Sequence, residues 1–287
     1  MHYTEAKSIL SPKNGMNLYR GCTHGCIYCD SRSECYGMTH TFEDVEVKAN
    51  APQLLEAALK KKRHRCMIGT GSMSDPYLPL EVKEQLTRRC LEILCRYGFG
   101  FSCITKSDLV LRDLDLLQSI HHQAKCVVQL TLTTYDEDLC RMIEPNVATT
   151  HRRFEVLKEL QKAGIPTIVW MTPILPFLND TQENIRGLLD YCGEAGVHGI
   201  LTFGMGMTLR SGNREYFYKK LDQHFPNMKQ QYMRAFGYQY GIHSPNGRVL
   251  GKLVQDFCVQ NNILYGTQEV FNYLSQMDTH SQQLSLF

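Results

Sequence analysis

Gly21-Cys22-Thr23-His24-Gly25-Cys26-Ile27-Tyr28-Cys29 is the stretch around which this 287-residue chain is organised. Its three cysteines stand at C-x3-C-x2-C spacing, close enough for three thiolates to wrap one soft metal centre. Fully ligated iron–sulfur clusters take four cysteines. A loop of three leaves one iron with an open position, and an open position on a metal is where chemistry takes place. A structural zinc loop, with Cys35 or His24 as fourth ligand, is the alternative. Zinc sites come as two separated Cys/His pairs, and the sequence has no second pair.

With an aromatic residue, Tyr28, directly before the third cysteine, the loop resembles the cluster motif of the radical S-adenosylmethionine superfamily. The resemblance implies a 4Fe–4S cluster on Cys22, Cys26 and Cys29, its free iron chelated by the amino and carboxylate groups of S-adenosylmethionine. It also implies reductive cleavage of that cofactor to methionine and a 5′-deoxyadenosyl radical, which abstracts hydrogen from a C–H bond. The electron would come from a donor such as flavodoxin or ferredoxin.

The whole chain sets bounds on that reading. Apolar residues make up 43% and charged residues 21%, ordinary for a protein that buries a core. The length suits one large domain, or a core with an appendage. A formal charge of +2 gives no overall basic field, so nucleic acid would need a local patch. The cysteines are too scattered for a secreted disulfide framework, the N-terminus lacks a signal peptide's apolar core, and no apolar run spans a bilayer. The expectation is a cytoplasmic protein with no membrane association. Cys35, Cys66, Cys90, Cys95, Cys103, Cys126, Cys140, Cys192 and Cys258 form no CxxC pair, so they read as small core hydrophobes rather than an auxiliary cluster.

Around the loop the chain alternates. Residues 16–20 read as a strand entering the loop, and residues 30–50 as polar and irregular. Pro52 opens a helix whose basic end, residues 60–65, suits the helix dipole. Strands are expected at 66–71, 99–106, 125–134, 165–172 and 197–205. Helices are expected at 80–96, 111–120, 152–163 and 181–195, with Asp180 as cap and Gly98, Gly164 and Gly196 as stops. A sixth helix falls near 215–223. This alternation predicts an α/β fold with a parallel sheet, six units against the eight of a closed barrel. A partial (β/α)6 TIM-like barrel is what the superfamily resemblance implies as well. The domain reading is a barrel over 1–223, a helical C-terminal extension over 224–278 and a flexible tail over 279–287.

Ligands of parallel α/β folds sit at the C-terminal ends of the strands. The second strand ends in Gly71, Ser72, Met73, Ser74 and Asp75, where hydroxyls and a carboxylate could receive the methionine ammonium; a tight capped turn is the alternative. Lys106 leaves the third strand and calls for an anion such as the methionine carboxylate. On the fourth strand Gln129, Thr131 and Thr133 share one face, facing the lumen as cofactor or substrate contacts. Trp170 reads as core, and the loop after it as support for adenine. Tyr28, Cys35, Tyr36 and Tyr77 are candidate radical relays.

The order CxxxCxxC, TGSMSDPYLPLE at 70–81, ITKS at 104–107, TLTT at 131–134, Ile143-Glu144-Pro145 and PILPFLND at 173–180 resembles the spore photoproduct lyase-like branch. That resemblance implies S-adenosylmethionine contacts at Ser74 and Lys106 and a nucleic-acid substrate. The chain departs from true lyases in lacking a hydrogen-donor cysteine near Ser72-Met73-Ser74 and their larger DNA-binding additions. Radical modification of a peptide or small metabolite is the second reading, and a non-enzymatic zinc or DNA-tethering module the third. Gln283, Leu284, Ser285, Leu286 and Phe287 resemble the motif by which bacterial proteins dock on the DNA polymerase sliding clamp.

Overall fold

Short apolar runs too brief for helices, separated by amphipathic segments with glycine stops, build the expected alternation. The computed structural model describes residues 1–277. It opens with β1 (His2–Thr4), β2 (Gly15–Met16), β3 (Tyr19–Arg20), β4 (Glu46–Lys48) and α1 (Ala51–Lys60). Then come β5 (Met67–Thr70), α2 (Glu81–Glu84), α3 (Leu86–Tyr97), β6 (Gly100–Thr105), α4 (Leu114–Gln123) and β7 (Cys126–Thr131). Next are α5 (Glu137–Ile143), α6 (Thr150–Lys162), β8 (Thr167–Trp170), α7 (Gln182–Glu194), β9 (Gly199–Leu201) and β10 (Gly206–Thr208). The described residues close with α8 (Asn213–His224), α9 (Met228–Phe236), β11 (Gly241–His243), α10 (Gly247–Gln260), β12 (Leu264–Tyr265) and α11 (Thr267–Ser275).

One seven-stranded sheet runs in the order β12-β9-β8-β7-β6-β5-β2, and every neighbouring pair is parallel. Its outer strands, β2 and β12, do not pair with each other among the described residues, so the sheet stays open. All six residues of β7 are buried, as expected of a parallel strand covered on both faces. Leu86, Cys90, Leu91 and Leu94 of α3 present the apolar stripe that covers the sheet. Gly98, Gly164 and Gly196 all have positive φ, which ends the helices before them. Among the scattered cysteines, Cys90, Cys103, Cys126, Cys140, Cys192 and Cys258 are buried and Cys35 is exposed; all are free thiols.

Several local expectations differ. The strand expected over 16–20 splits: β2 joins the large sheet, while β3 pairs antiparallel with β4 in a small sheet that also holds β1. The helix expected over 80–96 breaks at Gln85, whose φ of 49° is left-handed. There the Glu81 carboxylate accepts the freed N–H groups of Leu86 and Thr87. Thr181, not Asp180, caps α7, taking the Asn184 N–H on its hydroxyl. Asp180 instead takes the Phe177 N–H and the Ser244 hydroxyl. The C-terminal extension is not purely helical, because β12 pairs with β9 and supplies the seventh strand. The five residues Gln283, Leu284, Ser285, Leu286 and Phe287 lie outside the described residues.

Candidate active site

The cysteine loop is fixed from three sides. Gly21 has φ 92°, and a Cβ there would stand 2.5 Å from the Phe42 carbonyl oxygen, so only glycine fits. That same carbonyl accepts the Cys22 N–H at 2.9 Å. From the end of β5, the Ser74 hydroxyl donates to the Gly21 carbonyl at 2.7 Å. From the end of α5, the Ile143 carbonyl accepts the Ile27 N–H at 3.0 Å. Asn146 donates its N–H to the His24 carbonyl and its side-chain amide to the Thr23 carbonyl.

Cys22, Cys26 and Cys29 line one cavity of about 580 Å³, together with Ser74, Lys106 and Thr131 from the ends of β5, β6 and β7. Parallel sheets place ligands at this end. Burial raises all three thiols, Cys22 to about 12 and Cys26 well above the ordinary range. Such thiols become thiolate ligands only when a cation compensates them. A backbone N–H from His24 reaches Cys22 Sγ at 3.5 Å, a contact of the kind that tunes sulfur ligands. Three convergent sulfurs with no further cysteine on the wall, among the described residues, fit a cluster that keeps one iron open.

Neither zinc alternative is available. His24 Nδ1 lies 3.2 Å from the Asn146 carbonyl, and Nε2 lies 3.0 Å from Asp75 Oδ2. Cys35 is exposed and its sulfur accepts Arg210 Nη1 at 3.2 Å. Among the described residues, His2, His40 and Asp44 are the trio whose ligand atoms come within 4.8 Å of one another. The three cysteine sulfurs are not such a trio, whereas one tetrahedral zinc would hold them about 3.8 Å apart.

Asp75 is more occupied than its sequence position suggests. Oδ1 accepts the Thr105 hydroxyl at 2.7 Å and the Tyr77 N–H at 2.8 Å, and Oδ2 accepts the Lys106 N–H at 2.8 Å. Burial opposes this carboxylate, but His24 and the Lys106 and Tyr77 N–H groups outweigh it and hold its pKa below the ordinary value. With its lone pairs taken, Asp75 is a brace between the cysteine loop, β5 and β6 and has no place left for an incoming ammonium.

Lys106 is different. Among the described residues no carboxylate lies within ion-pair reach of Nζ, which stands 5.6 Å from the Tyr28 ring centroid. Burial opposes its charge, but Cys26 and Glu144 outweigh it and keep the ammonium protonated. The Tyr28 hydroxyl donates to the buried Glu144, which forms an ion pair with Arg153. Arg153 in turn donates to the Thr131 carbonyl at 2.6 Å and to Cys140 Sγ at 3.3 Å. In the sequence Glu144 stands within the Ile143-Glu144-Pro145 motif and Arg153 within an expected helix; neither position signals a buried pair.

The remaining expected residues divide. Thr131 lines the cavity, but Thr133 does not: its hydroxyl lies 3.4 Å from that of Thr134 and its carbonyl accepts Asn179 and Asn184. Tyr36 donates to Asp30 at 2.6 Å, and Tyr77 is fully buried off the wall. Of the suggested relays only Tyr28 faces the cavity. Trp170 is not simply core. It lines the cavity and donates to Gln129, which donates to Ser102, a polar ladder across β8, β7 and β6. Phe203, Arg210 and His243 also line the wall and were not foreseen.

Comparison with known proteins agrees with this geometry. The profile of the Radical SAM superfamily matches residues 16–192. An uncharacterized protein of Mycobacterium tuberculosis is 29% identical over 232 residues, 77% of this chain and 66% of its own length. One of Methanocaldococcus jannaschii is 35% identical over 171 residues, 58% of this chain and 62% of its own. The chain thus spans just under two thirds of the length of these relatives. A radical SAM Nalpha-GlyT isomerase of Pseudomonas phage M6 is 23% identical over 180 residues, 63% of this chain and 36% of that one. Among solved structures, spore photoproduct lyase complexed with dinucleoside spore photoproduct superposes with a TM-score of 0.59 at 13% identity, covering 85% of this chain and 72% of the other, a likeness of fold.

Proposed function

The chain belongs to the radical SAM superfamily, and on that premise we propose that it abstracts hydrogen from a nucleic-acid base admitted to the cysteine-lined cavity. When bound, a 4Fe–4S cluster and S-adenosylmethionine supply an electron and a carbon-centred radical. The protein's residues do the rest. Cys22, Cys26 and Cys29 ligate. The Lys106 ammonium binds the cofactor's carboxylate, with Ser74, Thr131 and the Tyr28 ring around it. Asp75 and Glu144 hold the loop in place. Met73 and Met207 add apolar wall that limits water around a reactive intermediate.

The single observation that carries the substrate class is the far wall of the same cavity. Trp170 and Phe203 meet edge-to-face at 5.5 Å, with Phe203 52% exposed, beside Arg210 and His243. Extruded or single-stranded bases are recognised by aromatic faces and guanidinium groups. Fold likeness to an enzyme of a dinucleoside photoproduct supports the same class. Thymine-dimer repair itself is not proposed, since no cysteine beyond the ligating three lines the cavity among the described residues. A reductant of the flavodoxin or ferredoxin type is required. On sequence alone we add the sliding clamp as partner, through residues 283–287; removing them should abolish binding to the host's clamp.

The test is anaerobic deuterium tracing with cluster-loaded protein, S-adenosylmethionine and reductant. Deuterium should reach 5′-deoxyadenosine from base-deuterated oligonucleotides. Transfer from a peptide or metabolite, with none from nucleic acid, would replace this reading by the peptide or metabolite one.

A further inference from the structure

A second group of metal-ligating side chains lies apart from the cysteine loop, on the small sheet. His2 on β1 stands opposite Glu46 on β4 in parallel register, so strand pairing fixes where its ring sits. His2 Nδ1 lies 2.9 Å from Asp44 Oδ2, and the His2 and His40 rings meet edge-on at 4.8 Å. Ligand atoms of His2, His40 and Asp44 all fall within 4.8 Å of one another. Two nitrogens and an oxygen bound directly to one tetrahedral zinc are about 3.3 Å apart.

His40 supplies the independent observation. Its Nδ1 lies 3.0 Å from the Thr41 carbonyl, so that side of the ring is tied to the backbone. Nε2 is buried and has no hydrogen-bond partner among the described residues. Glu46 Oε2 stands 3.7 Å from it, while Glu46 Oε1 is occupied by the Thr4 hydroxyl. A buried ring nitrogen without a hydrogen bond, beside a carboxylate oxygen, is a place where a cation can satisfy both. A histidine whose other nitrogen is tied to a carbonyl is the usual form of a metal-ligating imidazole.

We propose that His2, His40 and Asp44, with Glu46 as fourth ligand, form a second metal site for a divalent cation of the zinc class. Imidazole and carboxylate donors in this number suit zinc better than magnesium or calcium, which prefer all-oxygen shells. The site has a consequence for the cysteine loop. His40 and Asp44 flank Phe42, whose carbonyl holds the Cys22 N–H. A cation there ties β1, β4 and this strap together and stiffens the support of the first ligating cysteine.

The test uses anaerobically reconstituted protein, so that the loop cysteines are already occupied, titrated calorimetrically with zinc chloride. One zinc per chain should bind, and His40→Ala should weaken it about tenfold or more. His2→Gln, at a half-exposed position, should do the same and serves if His40→Ala fails to fold. His64→Ala, in the exposed turn between α1 and β5, should leave binding unchanged. Absence of binding to the reconstituted protein, or zinc binding that survives His2→Gln and His40→Ala, overturns the assignment. Iron content of the variants is read separately, so failure here leaves the cysteine-loop reading standing.

Discussion

Asp75 Oδ2 lies 3.0 Å from His24 Nε2, so a carboxylate from the turn after β5 holds the middle of the cysteine loop. The same carboxylate receives donors from Thr105, Lys106 and Tyr77. Asp75→Ala strands those buried donors and the histidine together. Breaking a buried pair of this kind costs roughly 3–5 kcal/mol. Chemical denaturation should show that loss, and the variant should release iron faster than the parent on dilution. Ser72→Ala, whose side chain makes none of these contacts, should do neither. Equal stability of Asp75→Ala and parent would remove Asp75 as the brace.

Lys106 has no carboxylate partner of its own among the described residues, so its ammonium is available to an incoming anion. Lys106→Ala should retain the cluster and lose S-adenosylmethionine affinity. Removing one member of a desolvated ion pair costs roughly 3–5 kcal/mol, more than a hundredfold in Kd. Calorimetry on the cluster-loaded variant measures it. Full affinity with full iron would place the cofactor's carboxylate elsewhere.

Glu144 and Arg153 form a buried ion pair that carries the Tyr28 hydroxyl at one end and the Thr131 carbonyl at the other. Glu144→Gln and Arg153→Met should each destabilise strongly, and the double variant should cost clearly less than the sum, because the second change removes a charge already left alone. Simple additivity would mean the two residues act independently. The pH dependence has a definite sign. Burial opposes the Glu144 carboxylate, yet Arg153, Lys106 and Tyr28 outweigh it and hold its pKa below the ordinary value. A carboxylate depressed in the folded state adds stability above its unfolded pKa of about 4.3, and that stability is lost as pH falls through the folded value. Below about pH 4.3 the parent should therefore lose stability more steeply than Glu144→Gln.

What was legible in the sequence follows from the range of the signal. The alternation was readable because a buried parallel strand and an amphipathic helix each impose a period over several residues, and Gly98, Gly164 and Gly196 with positive φ mark the stops of α3, α6 and α7. The grouping of Cys22, Cys26 and Cys29 on one cavity wall was readable because covalent spacing alone brings them together. The two-residue strands β2, β3 and β12 are too short for any period, so the split of 16–20 and the seventh strand went unseen. The break at Gln85 has no glycine or proline to announce it; it depends on the Glu81 carboxylate capping the next helix. Asp75, Glu144 and Arg153 belong to tertiary networks, where the partner lies up to 116 residues away, as Tyr28 does from Glu144. No local pattern encodes that distance.

Cys22, Cys26 and Cys29 share a cavity wall, while Cys35 is exposed and bound to Arg210, so single replacements should separate the two classes. Cys22→Ala, Cys26→Ala and Cys29→Ala should each lose the brown colour and most of the iron after anaerobic reconstitution. Three ligands are the minimum that holds a cluster with one open iron, and two leave it exposed to exchange. Cys35→Ala should retain the parent's iron, since its sulfur interacts with a guanidinium and not with the other three. His24→Gln should also keep iron, at reduced stability, because the ring braces Asp75 rather than ligating. Metal analysis of iron and zinc in all five variants is the measurement. Full iron in any one of the three ligand variants, or a tightly held zinc that disappears with Cys35 or His24, would turn the loop from a catalytic cluster site into a structural zinc knot.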